Sequence, residues 1–100
     1  MTTIFFKRSG GFVGQGSRVQ VDLAQLPAEE ARRLAQLIEQ AGFFQLPENF
    51  IVKFNPDEFQ YTITIETDAE RHTVRANDST LPAGLRPLVD ELSAVRSVAG

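Results

Sequence analysis

The chain has no cysteine. That absence removes disulfides, thiolate nucleophiles, zinc-finger frameworks and redox motifs together. It has one histidine, so a transition-metal site would lack the further imidazole or thiolate ligands it needs. No run of about 18 apolar residues is present, so no helical membrane span is expected. No acid occurs among residues 1–21, which carry Lys7, Arg8 and Arg18. The net charge of −3 therefore divides into +3 on that stretch and −6 on the remainder. An acidic total argues against nucleic acid as the main partner. The first residues place charge after a very short apolar run, the reverse of a signal peptide, so a cytoplasmic location is expected.

What is present suits one globular domain. At 100 residues, 42 % hydrophobic and 23 % charged, the chain has room for a single two-layer core. Residues 1–100 are read as one domain with 97–100 frayed. Ile4, Phe5 and Phe6 open a strand that ends at Ser9. Ser9-Gly10-Gly11-Phe12-Val13-Gly14-Gln15-Gly16 follows, with four glycines in eight residues. Arg18 to Asp22 then alternates polar and apolar, the period of a half-buried strand. Two strands around a glycine-rich connection predict a hairpin.

The next segment predicts a helix. Pro27 suits a first turn, Glu29 and Glu30 suit the positive end of the helix dipole, and Gly42 suits a left-handed stop. Ala31, Leu34, Leu37, Ile38 and Ala41 form one apolar stripe. Glu29 and Arg33 are spaced for an i, i+4 pair. Phe43 and Phe44 plug one end of the core, and residues 48–57 read as irregular. Phe59, Tyr61, Ile63 and Ile65 alternate with Gln60, Thr62, Thr64 and Glu66, which predicts a strand with the second set facing water. A turn at 67–70 leads into a returning strand, Arg71 to Ala76. Pro82 to Val95 predicts a second helix, with Pro87 held to its first turn. The fold class is α+β: a four-stranded antiparallel sheet with two helices packed on one face, in the order ββαββα. Strand order within the sheet is left open.

Few residues suggest catalysis. His72 reads as a strand residue near the sheet rim; no serine-centred motif accompanies it. Asp68 and Glu70 are too few for a calcium site. No catalytic residue, metal or cofactor is expected. The glycine-rich segment is no phosphate cradle, because a strand and not a helix follows it. Hairpin connections need about two to five residues, and this one carries Phe12 and Val13 among its glycines. An apolar pair at a loop tip must fold back or meet a partner.

From Phe6-Lys7-Arg8-Ser9-Gly10-Gly11-Phe12-Val13-Gly14 to the strand ending Val21-Asp22, the chain resembles the emfourin family, small inhibitors of thermolysin-like (M4) zinc metalloproteases. Leu26-Pro27, Phe43-Phe44, Pro56-Asp57, Phe59-Gln60-Tyr61-Thr62-Ile63, Arg71-His72-Thr73-Val74 and Leu85-Arg86-Pro87-Leu88 extend the likeness along most of the chain. Gln15-Gly16 and Asp68-Ala69-Glu70 depart from it. The resemblance implies a protein partner, a thermolysin-like metalloprotease, whose cleft is blocked by the loop Ser9, Gly10, Gly11, Phe12, Val13 and Gly14. Such proteases favour a bulky apolar side chain just after the scissile bond, a role for Phe12 or Val13. Lys7, Arg8 and Arg18 would flank the contact as a basic tip facing an acidic partner. The alternative is a generic interaction module that binds some other protein through the hairpin or the Thr62/Thr64 sheet face. Oligomeric state is not set by the sequence.

Overall fold

A computed structural model describes residues 2–10, 17–53 and 57–94. Alternating patterns produce four strands, β1 (Thr3–Gly10), β2 (Ser17–Asp22), β3 (Phe59–Glu66) and β4 (Arg71–Asn77). Helical stripes produce α1 (Ala28–Ala41) and α2 (Arg86–Ala94). The sheet order is β2-β1-β3-β4, antiparallel throughout. The expected α+β class and ββαββα order are thus what the chain adopts. The frayed ends assigned to 97–100 lie outside the described residues.

The register stacks apolar residues in rows across the sheet. Val21, Ile4, Ile65 and His72 form one row; Val19, Phe6, Ile63 and Val74 form the next. Leu34 and Ile38 of α1 and Leu88, Val89 and Leu92 of α2 join these rows in one core. The two helices therefore cover the same face, and burying these side chains supplies the main drive to fold.

Helix ends follow local chemistry. Gly42 takes φ 61° and ψ 41°, and its N–H caps the helix on Glu39 O at 3.0 Å. Pro27 stands one residue before the first turn, as the N-cap. The second helix begins at Arg86 and not at Pro82, because residues 82–85 form a turn closed by Leu85 N–H on Pro82 O. Pro87 then falls in the first turn, where it removes no helical hydrogen bond. Arg33 does not pair with Glu29; its Nε meets Glu91 Oε1 of α2 at 2.9 Å.

Two features correct the expected water-facing side of the sheet. Thr64 is buried and shares a hydrogen bond with Thr73, its cross-strand neighbour, at 2.8 Å. The outer edge of β4 is also partly closed. Phe50 N–H donates to Arg75 O at 2.7 Å, and Arg75 N–H donates to Glu48 O at 2.8 Å. Residues 48–50 thus add a parallel bridge to a segment that reads as irregular in sequence. Covering an edge in this way removes a row of unpaired backbone groups.

Ile65 is fully buried on a central strand, so Ile65→Ala should destabilise the fold by roughly 2–5 kcal/mol. Gln20→Ala, exposed on the other face, should change stability by less than about 0.5 kcal/mol. Urea unfolding of both variants beside the wild type measures the difference.

Candidate functional site

The loop predicted to carry function begins on β1, a strand paired on both sides. Among the described residues, the β1–β2 pairing runs to Arg8 with Ser17. Ser9 and Gly10 are paired to Gln60 and Phe59 of β3. The first two loop residues are therefore held by the sheet. Gly10 has φ +85°, a region that side chains with a Cβ rarely enter. A Cβ there would also stand 2.7 Å from Glu58 O. Glycine at this position is a geometric requirement. Gly11, Phe12, Val13 and Gly14 lie outside the described residues.

The strand that grips Gly10 is itself clamped. Asp78 accepts from Phe59 N–H at 2.9 Å through Oδ2 and from the Tyr61 hydroxyl at 2.6 Å through Oδ1. Asp78 N–H returns a bond to Phe59 O at 3.1 Å. Ser79 donates to the Glu58 carboxylate from both N–H and Oγ, at 2.6 and 3.1 Å. Asn77, buried, donates from Nδ2 to Lys53 O at 3.2 Å. The start of β3, the end of β4 and the 51–53 segment are thus tied together beside the loop exit. Burial and then the Asp78 hydrogen bond and charge hold the Tyr61 phenol above its usual pKa of 10.0, against an opposing pull from Arg86.

The basic tip divides between two faces. Arg8 lies on the helix-covered side, its guanidinium 4.7 Å from the centre of the Phe59 ring, a cation–π contact. Its Nε is buried with no hydrogen-bond partner among the described residues. Lys7 and Arg18 lie on the open side, directly opposite one another. Arg75 of β4 lies on that side too, facing Thr62 of β3, which faces Lys7; a further cation there, Arg71, is paired with Glu66. Sequence reading missed Arg75, because nothing local distinguishes it from any polar residue of an alternating strand. Val52, 91 % exposed beside the anchored Lys53 carbonyl, was missed too; its segment has no periodicity to read.

His72 occupies the structural position expected of it. Its ring meets Phe43 edge-on at 5.6 Å, and Nε2 donates to Leu46 O at 2.7 Å. A carbonyl only accepts, so Nε2 carries a proton. No group of three or more potential metal ligands occurs among the described residues. No helix among them is long and apolar enough to cross a membrane.

The family model named Emfourin matches residues 6–93, a span that contains the whole glycine-rich segment and the clamp behind it. Among solved structures, a similar one is emfourin from Serratia proteamaculans, described as an M4 family peptidase inhibitor. It is 22 % identical, with 87 % of this chain and 84 % of that chain covered and a TM-score of 0.47. The comparison with curated proteins finds no match.

Gly10→Ala should destabilise by about 2 kcal/mol, since positive φ alone costs roughly 1–2 kcal/mol and the Glu58 carbonyl must also move. Thermal melting reads this directly. A raised Tyr61 pKa also has a sign. Above about pH 10 the unfolded phenol ionises while the folded one keeps its proton, so stability present at neutral pH is lost as pH rises. Denaturant titrations between about pH 9 and 11 should show that fall in the wild type and less of it in Tyr61→Phe.

Proposed function

This chain belongs to the emfourin family, and on that premise we propose that it is a protein inhibitor of thermolysin-like (M4) zinc metallopeptidases rather than an enzyme. Family membership across residues 6–93 carries the reading. The anchored loop exit supports it.

The mechanism is steric. Ser9, Gly10, Gly11, Phe12, Val13 and Gly14 enter the peptidase cleft, and Phe12 or Val13 fills the pocket that normally takes the bulky apolar residue after the scissile bond. Gly10, Gly11 and Gly14 let the loop backbone approach closely. Because Ser9 and Gly10 are already paired to β3, that limb of the loop loses little freedom on binding. Less ordering cost leaves more of the contact energy as affinity. The same anchoring resists cleavage, since a bond held in a sheet cannot reach the geometry of hydrolysis without breaking its pairing. His72 stays structural, held between Leu46 and the phenylalanines.

A module that used only its open sheet face would ignore changes in the loop. Residual peptide hydrolysis by a thermolysin-like peptidase, titrated with this protein, separates the two. Phe12→Ala should weaken inhibition by about 2 kcal/mol or more, as a truncated anchor does, or about 30-fold in the inhibition constant. Gly11→Trp should abolish inhibition while the melting temperature stays within a few degrees of wild type. Undiminished inhibition by both variants would remove the loop from the mechanism.

A further inference from the structure

The open side of the sheet carries a charge pattern that the loop mechanism does not use. Arg18, Lys7, Thr62 and Arg75 stand in one row across all four strands. With strands about 4.8 Å apart, the row spans about 14 Å. Lys7 and Arg18 are direct cross-strand neighbours, and like charges so placed are destabilising. None of the three forms an ion pair among the described residues. Glu66 and Asp22 sit two rows away and are engaged, Glu66 with Arg71 at 3.4 Å and Asp22 as the cap of Ala24 N–H at 2.9 Å; Glu48 borders a depression with Arg75 but forms no ion pair with it among the described residues.

The row also has shape. On one side of Lys7 an open depression of about 170 Å³ is bordered by Phe5, Arg18, Gln20 and Thr64. On the other, a second of about 470 Å³ is bordered by Ser9, Asn49, Ile51, Gln60 and Arg75. Ser9 borders the second depression and begins the loop assigned to inhibition, so the row lies beside that loop's root. Lys7 is about 10 Å from Gly10 along the strand, within the footprint of any protein partner.

Resting on the inhibitor reading above, we propose that Lys7, Arg18 and Arg75 form a second contact surface that takes an acidic surface segment of the target peptidase beside its cleft. Charge complementarity selects that occupant. Outside its first 21 residues the chain has a net charge of −6, so the row is a local positive field on an acidic protein. It orients the approach of the peptidase and quickens encounter, the usual effect of charges at the rim of an interface. The row selects among peptidases of one mechanism by the acidity of the surface next to the cleft. Arg8, stacked on Phe59 on the other face, takes no part.

The test is the association rate of inhibition at low and high salt. It uses the full-length wild type, the triple variant Lys7→Gln/Arg18→Gln/Arg75→Gln, the charge-keeping variant Lys7→Arg/Arg18→Lys/Arg75→Lys, and Arg32→Gln/Arg33→Gln on exposed α1. In the triple variant the rate should fall at least ten-fold at about 20 mM salt and converge on wild type at about 0.5 M. The charge-keeping and α1 variants should stay within about two-fold of wild type at both salts. A ten-residue polyglutamate peptide should slow the wild type and leave the triple variant unaffected. Removing repulsion should leave the triple variant's melting temperature equal to or above that of wild type, so misfolding cannot explain a loss. A triple variant as fast as wild type at low salt overturns the proposal and leaves the inhibitor reading standing; that result is expected if the row serves a nucleic acid or a second copy of this chain. A wild type that does not inhibit at all overturns the inhibitor reading, and the proposal with it.

Discussion

Strand β1 is hydrogen-bonded on both sides. Thr3 to Arg8 pair with β2, and Thr3 to Gly10 pair with β3. Everything that positions the loop depends on that double pairing. Its register is set by Ile4 and Phe6, both buried. A slip of one residue would turn them to water and drive Lys7 into the core, at a cost no local rearrangement offsets. The pairing on the β3 side runs through Ser9 and Gly10, the first residues of the loop.

Holding Ser9 and Gly10 needs a firm partner strand, and the polar clamp supplies one. A single carboxylate, Asp78, takes both the Phe59 amide and the Tyr61 hydroxyl. Glu58 holds the next residue, Ser79, by two further bonds. The Asp78 bonds are partly shielded from water, where charge-assisted hydrogen bonds are strongest, while the Glu58–Ser79 bonds are exposed. The clamp therefore fixes the backbone of Glu58 and Phe59 against which Gly10 packs. The two sides of the sheet then divide the work. One side, covered by α1 and α2, supplies stability. The other side has no helix over it among the described residues and presents Lys7, Arg18 and Arg75 at the loop's root.

Much of this was legible from sequence because it is local. The four-residue alternation from Phe59 to Ile65, the left-handed stop at Gly42 and the placement of Pro87 in a first turn each follow from neighbours along the chain. What escaped was non-local. Strand order requires knowing that β1 meets β3, and no period records that. The bridge from Asn49 to Arg75 sits in a segment with no alternation at all. Arg33 had a well-spaced partner in Glu29, yet took Glu91 when the helices packed. Thr64 looked like a solvent residue until Thr73 met it across the strand pair. The site was half legible for the same reason. Glycine spacing pointed to the loop, and adjacency suggested a basic tip. Alternation along β1 then sent Arg8 and Lys7 to opposite faces, and only the fold brought Arg75 to Lys7.

A backbone amide chemical-shift map of the isotope-labelled protein, free and saturated with a thermolysin-like peptidase, tests the central claim most directly. The account predicts the largest changes at Ser9, Gly10 and the loop that follows, with a second set around Lys7, Arg18 and Arg75. The exposed face of α1, including Arg32 and Gln36, should stay unchanged. Changes confined to α1 or α2, with Ser9 and Gly10 unmoved, would contradict it.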